Sequence, residues 1–341
     1  MADLSELSET DLAAAVELSV SSANGSRMIE LGGEYERRCI YDAAWKLLAD
    51  GTDLLRPSKL PLWTGQPLKG KRLVVRRKLR HLGAELRMAR FANRASESGV
   101  DVTIATENRL VSLFRRSFPS LRVVDLATLE AWMDADYEAS YERMAEYFGR
   151  TAGEIRHSFT PLIPAPGPTP WVDDHCIGIS WFSKSTRKPQ PTITEWSEVF
   201  AHTDARLVSL QYDEDSAGIA ELSKRIGREI APSMPIDQMT NIDDFSRQVA
   251  RTAGVFTISN TTAHMAGMLG IPCAVAVDDM NHLTWPTEGS STPFYPNLAV
   301  VRQKGRPWPA VLKEASSALF GLIREEISGI AVPTDNGELK C

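Results

Sequence analysis

The stretch RLVVRRKLRHLGAELRMARFANRASESGVDVTIAT, residues 72–106, decides the fold. Its two ends, RLVVRR and VDVTIAT, are short runs rich in β-branched residues, which reads as strand. Between them the turn containing Gly83 opens a segment, 84–98, whose apolar residues recur at helical spacing and which stops at Gly99. Strand, helix and strand in that order make a crossover unit of a parallel sheet.

Working outward, the same alternation continues. A short helix over 107–117 and the strand LRVVDL follow, and 127–159 reads as helical. Next comes TPLIPAPGPTPW, residues 160–171, with five prolines in twelve residues. That density excludes helix and sheet interior alike and marks a linker. A second alternating series begins at HCIGISW and runs through ITEWSEVFAH, ARLVSLQ, AGIAELSKRIGREI, IDDFSRQVART, GVFTISN, TAHMAGMLG, IPCAVAV and NLAVVRQ to the closing helix WPAVLKEASSALFGLIREEI. Upstream of the first series, ETDLAAAVELSV and GEYERRCIYDAAWKLLADG read as helices, the second stopping at Gly51, and 54–71 is a Pro/Gly-rich connector.

The expected fold class is therefore α/β, with two Rossmann-like doubly wound domains and a short helical N-terminal extension. The boundaries read as extension 1–53, first domain 54–159, linker 160–171, second domain 172–306, closing helix 307–330 and tail 331–341. A length of 341 residues suits two domains better than one core. Ligands of such sheets bind at the carboxyl ends of the strands, so a cleft between the domains is the expected site.

Composition narrows the function classes. A net charge of −6 argues against general nucleic-acid binding. Residues 71–94 nevertheless carry nine Lys or Arg against one acid, Glu85, which is either a solvated helix face or a basic wall for an anionic ligand. The four cysteines show neither metal spacing nor a disulfide framework and read as reduced thiols of a cytoplasmic protein. The N-terminus lacks the order of a signal peptide, and no run approaches the roughly 18 apolar residues of a membrane helix.

The stretch GVFTISNTTAHMAGMLGIPCAVAV, 254–277, carries the strongest chemistry. A buried strand ends in Ser259, Asn260, Thr261 and Thr262, and a helix starts at once with capping residues whose free amides suit a diphosphate. His264 lies one turn in, within reach of a phosphate or of the neighbouring strand. An ordinary strand–helix junction with a satisfied core histidine is the alternative.

This stretch resembles the D-T-(A/G)-x-x-H-(L/M)-A-(G/A)-x-L-G-x-P signature of heptosyltransferase-like glycosyltransferases, and especially the branch found behind tetratricopeptide repeats in bacterial proteins. Four further matches follow the same order along the chain: YDAAWKLL with PLWTGQPLKGKRLVV, LGAELRMARF, IGISWFSKSTRK with ARLVSLQYDE, and STPFYPNLAVVRQKGRPWPAVL. The resemblance implies a GT-B-type fold and transfer of a sugar from a nucleotide-diphosphate sugar to a glycan or protein acceptor, inverting and without metal or cofactor. It implies that Ser259, Asn260, Thr261, Thr262 and His264, with Lys184 and Lys188, hold the donor diphosphate, and that Gln211 touches the nucleotide. The acceptor side would comprise Gly83 and the basic turn of Arg77, Lys78 and Arg80, which suits an anionic acceptor, with Trp285 and Tyr295 as candidate sugar-stacking walls. Self-association is left open.

One position departs from the pattern. The family carries an acid directly after the turn glycine, where it deprotonates the acceptor hydroxyl; here that residue is Ala84. Asn260 likewise stands where the family prefers Asp. Glu85 or His81 would then have to serve as base, or an acid near the strand ends such as Asp101, Glu107 or Asp125 would reach in. The alternative is a catalytically inactive nucleotide-sugar-binding or scaffold protein of the same fold. The acid pairs in WVDDH and VDDM read as turns or caps rather than metal ligands, as Asp243 and Asp244 do before their helix.

Overall fold

The computed structural model describes residues 4–78, 81–128, 134–168, 175–185, 188–212, 216–231, 236–279 and 284–328. The chain divides between Thr160 and Pro161 into two compact units, with residues 284–289 belonging to the first.

The first unit opens with α1 (Glu9–Ser21), α2 (Gly25–Arg37) and α3 (Tyr41–Leu55). The stretch read as one helix ending at Gly51 is two. It breaks at Arg38–Ile40, where Cys39 takes a φ of 59°. Gly51 lies inside α3 because it lets two helices touch: a Cβ there would stand 2.6 Å from the Gly25 carbonyl oxygen. Packing, not chain termination, is what that glycine provides. Cys39 is disulfide-bonded, which corrects its reading as a reduced thiol; Cys176 and Cys273 are buried free thiols.

The sheet of this unit has the order β3-β2-β1-β4, all parallel, from β1 (Arg72–Arg76), β2 (Asp101–Thr106), β3 (Arg122–Asp125) and β4 (Tyr137–Ser140). Strand β4 corrects the helical reading of 127–159. Four residues are too few to interrupt the helical periodicity visibly, and the strand is fixed by its pairing with β1. The connector also joins the sheet: Trp63 N donates to Glu138 O, and Glu138 N donates to Pro61 O. The helices are α4 (Leu82–Glu97), α5 (Asn108–Ser117), α6 (Tyr141–Phe148) and α7 (Ala152–His157).

The N-terminal helices form part of this unit's core. Trp45, fully buried, donates from Nε1 to Gly149 O at 2.6 Å and packs its ring near Phe91. Arg87 of α4, also fully buried, pairs with Glu36 of α2.

The second unit has a five-stranded parallel sheet in the order β6-β5-β7-β8-β9, from β5 (Cys176–Ser180), β6 (Arg206–Ser209), β7 (Gly254–Ile258), β8 (Cys273–Val277) and β9 (Leu298–Arg302). Every residue of β5, β7 and β8 is buried, as expected for central strands covered on both faces. The helices are α8 (Ile193–Phe200), α9 (Ser216–Ile226), α10 (Ile242–Ala250), α11 (Thr261–Leu269) and α12 (Trp308–Ser328). Trp196 stacks on Phe200 and meets Phe256 edge-on, and α12 adds Val311, Leu312, Ala315 and Leu319 to the same core. Among the described residues no helix is long and apolar enough to cross a membrane.

Candidate active site

In the second unit the candidate site forms where β7 ends. The chain leaves Ile258, passes Ser259 and enters α11 with Asn260 as N-cap. Asn260 Oδ1 accepts from the amides of Thr262 and Ala263 at 3.0 and 3.4 Å, and its Nδ2 donates to Ser180 Oγ at 2.9 Å. Thr257 Oγ1 donates to the same Oδ1. The expectation of free helix amides is thus corrected: the cap itself takes two of them. Asparagine suits this role because it accepts from the helix and donates to the end of β5 with one side chain.

Lys188 supplies the cation. Its Nζ donates to Ser259 O at 2.8 Å, and the side chain is half-buried. Burial pushes its pKa down, which the Asp278 carboxylate at the end of β8 partly offsets. No carboxylate among the described residues comes within ion-pair distance of Lys188, so Asp278 acts on this semi-buried ammonium only from farther off. Lys184 is exposed, and its amide donates to the Tyr212 hydroxyl at 2.6 Å.

Gln211, Thr262, His264, Tyr295 and Trp285, expected as donor or wall residues, are all buried. Gln211 is buried, and its Oε1 accepts from the amides of Trp181 and Phe182. It ties β6 to the loop after β5 instead of presenting itself to a nucleotide. Thr262 is buried. His264 is buried and shares a 2.7 Å hydrogen bond, through Nδ1, with the hydroxyl of Tyr295, itself 2% exposed. Gly267 permits that pairing, since a Cβ there would meet the Tyr295 ring at 2.6 Å. The histidine and tyrosine are partners in the core. Trp285 is fully buried and belongs to the first unit. Asn241, not Asp243 or Asp244, caps α10; the two acids lie in its first turn.

In the first unit the carboxyl ends of β1, β2 and β4 gather around Glu85. Helix α4 begins at Leu82, so Gly83 is a helical residue of the first turn and not part of the preceding turn. His81 is the exposed N-cap, and Ala84 is 2% exposed. Glu85 is 1% exposed; its Oε1 accepts from Thr106 Oγ1 at 2.7 Å and from the Tyr141 hydroxyl at 3.5 Å. Its Oε2 has no hydrogen-bond donor among the described residues, with Arg77 Nε 3.5 Å away as the ion-pair partner. Burial drives the Glu85 pKa up, opposed by Thr106, Arg77 and Tyr141. Sequence reading missed Thr106 and Tyr141, because a lone threonine and tyrosine at strand ends form no motif.

Much of the basic run is paired within the unit. Lys78 is fully buried and pairs with Asp53 and Glu138, Arg76 pairs with Glu138, and Arg87 with Glu36. Arg77 pairs with Glu85 and Glu107, and Arg109 with Glu107. Arg80 lies outside the described residues. Asp101 starts β2 and so sits at the amino edge of the sheet, away from the site, whereas Glu107 and Asp125 lie at the carboxyl edge. Among the described residues no group of three or more candidate ligands could hold a metal ion.

These two strand-end sites can be set beside known proteins. No family model matches the chain. The glycosyl transferase family 9 protein from Veillonella parvula aligns with a TM-score of 0.54 at 12% identity, over 77% of this chain and 100% of that one. The ADP-heptose lps heptosyltransferase II of E. coli aligns with a TM-score of 0.51 at 12% identity, over 75% and 99%. This chain has the GT-B fold. In sequence, Protein FlbA of Caulobacter vibrioides is 26% identical over 295 residues, which is 75% of this chain and 48% of that protein. The chain therefore spans about half the length of that relative. The two Rossmann-like units expected from the alternating pattern are the two halves of this GT-B protein, and its candidate site residues lie at the carboxyl edges of both sheets.

Proposed function

We propose that this protein is a glycosyltransferase that moves a sugar from a nucleotide-diphosphate sugar to a hydroxyl of a glycan or protein acceptor. The second unit holds the donor, the first unit holds the acceptor, and Glu85 is the general base. The observation that carries the reading is Lys188: a half-buried ammonium with no carboxylate partner among the described residues, held on Ser259 where β7 passes into α11. A diphosphate supplies the charge that position lacks, and Asn260 and Thr261 are the half-buried polar residues beside it. The likeness of the fold to nucleotide-sugar transferases supports the same reading.

In the proposed reaction the acceptor oxygen bonds to the anomeric carbon from the face opposite the leaving group. The anomeric carbon–oxygen bond to the nucleoside diphosphate breaks, and its electron pair stays on the phosphate oxygen. Glu85 takes the acceptor proton, Lys188 stabilises the charge on the departing diphosphate, and the configuration inverts. No step is assigned to a metal.

A second reading, binding without turnover, is favoured by one observation: Ala84 stands in the acid's position and Glu85 is 1% exposed. Release of nucleoside diphosphate from a panel of nucleotide sugars separates the two. The transferase reading expects release by the wild type, a fall of about 10²–10⁴-fold in Glu85→Gln, and unchanged donor affinity in that variant. Tight donor binding with no release by the wild type would establish the binding protein instead.

A further inference from the structure

The carboxylate of Glu85 is held asymmetrically, by groups arriving from three strand ends. Thr106 closes β2, Tyr141 follows β4, and Arg77 follows β1. Thr106 and Tyr141 both donate to Oε1, at 2.7 and 3.5 Å, and both are buried. Tyr141 acts only as a donor there, because burial and the neighbouring Glu85 raise its own pKa well above the ordinary value. Oε2 is left with no hydrogen-bond donor among the described residues; only Arg77 Nε approaches, at 3.5 Å. The outer end of Arg77 grips Glu107, which Arg109 also holds at 2.7 Å.

A buried carboxylate ordinarily has donors on both oxygens; Glu85 has hydrogen-bond donors on Oε1 and only an ion-pair approach on Oε2. Bond rotation within the carboxyl group would exchange the two oxygens unless something fixes one of them, and Thr106 does so at the shorter distance.

We propose that Thr106 and Tyr141 are positioning residues that lock Oε1 of Glu85, that Arg77 holds the Oε2 side, and that together they leave Oε2 as the atom for the acceptor hydroxyl. This rests on Glu85 being the base of the reaction proposed above. Arg77 also holds Glu107, so its guanidinium bridges the two carboxylates. The acceptor proton then passes to Oε2 as the acceptor oxygen bonds to the anomeric carbon, while Thr106 and Tyr141 keep their protons on Oε1. The groups facing Glu85 are thus Arg77 and Arg109, with Glu107 between them, and the Tyr141 hydroxyl.

The test measures Glu85 directly, apart from turnover. Full-length protein labelled with ¹³C at the glutamate carboxyl carbon is titrated by NMR, with Glu85→Gln identifying the resonance. Thr106→Val and Arg77→Met are each expected to raise the Glu85 pKa, and Thr106→Ser to return it to the wild-type value. The acid limb of the pH–rate profile for transfer moves in the same direction, and Thr106→Val loses kcat by about 10²-fold with KM for donor unchanged. An unmoved Glu85 titration in both Thr106→Val and Arg77→Met overturns the proposal. A titration that shifts as described while Glu85→Gln keeps full transfer activity shows that the base assignment is wrong, although the hydrogen-bonded cradle exists. Should Thr106→Val fold poorly, the titration of Tyr141→Phe decides: loss of the hydroxyl must raise the Glu85 pKa.

Discussion

Glu85 occupies the position next to the one where the resemblance places an acid, and a step of one residue along a helix turns a side chain by roughly 100°. The structure answers how its carboxylate still reaches the carboxyl edge of the sheet: α4 begins at Leu82, ahead of Gly83, so Glu85 sits in the first turn against β2. Its burial has a thermodynamic signature. The folded-state pKa is raised from the ordinary 4.5, with desolvation as the leading cause. The neutral form is therefore favoured by folding; that contribution is fully present below pH 4.5 and is lost as pH rises through the folded value. Glu85→Gln keeps a neutral group at all pH. Its melting temperature relative to wild type is expected to climb as pH goes from about 4 to 8, as read by calorimetry. A gap that narrows with rising pH would show that Arg77 and Thr106 outweigh burial. Lys188 makes the complementary prediction in the second unit. Lys188→Met is expected to weaken nucleoside diphosphate binding by about 10–100-fold, the worth of one charged hydrogen bond, in isothermal titration.

At the scale of elements, the basic run of residues 71–94 was readable as a run but not as what it does. Lys78 finds Asp53 at a separation of 25 residues, Arg87 finds Glu36 at 51, and Arg76 finds Glu138 at 62. Charges that distant in sequence cannot be paired by inspection, so a seam between α3, β1 and β4 looks like a ligand-facing wall. The same limit applies to β4, whose four residues are a strand because β1 is there to pair with. By contrast the long alternating segments were legible, since each strand and helix carries its own periodicity. The seam predicts how tightly the N-terminal helices belong to the first unit. Lys78→Met removes one of the two cations on Asp53, Arg143 remaining, and is expected to cost about 1–3 kcal/mol in urea unfolding. The double variant Lys78→Met with Asp53→Asn is expected to differ from the sum of the two single variants, because the two groups share one network. A single variant within about 0.5 kcal/mol of wild type would mean that Arg143 alone already satisfies Asp53.

Across the whole molecule, the two units repeat one arrangement: a parallel sheet whose carboxyl edge carries an ionisable group withdrawn from solvent, the buried Glu85 in the first and the half-buried Lys188 in the second. The sequence disclosed that duplication through its pattern of strands and helices. It also drew attention to both edges, but not to how deeply several side chains there are buried. His264, Tyr295, Gln211 and Trp285 have the chemistry of ligand contacts but the burial of core residues, and burial depends on neighbours that no motif states. The division of roles yields the last prediction. If the second unit alone supplies the donor site, nucleoside diphosphates stabilise the protein in proportion to that site's affinity. Ligand at 100 times its Kd adds about 2.7 kcal/mol, and for a unit of this size each kcal/mol moves the melting temperature by about 2–4 °C. A thermal-shift panel of UDP, GDP, ADP and CMP is expected to single out one base. Lys188→Met should cut that shift by about half or more, as a 10–100-fold weaker Kd requires, and Glu85→Gln should leave it intact. Loss of the shift in both variants would mean that Glu85 contributes to donor binding, and the separate assignment of donor and acceptor to the two units would fall. A shift that survives Lys188→Met would move the diphosphate away from the β7–α11 junction.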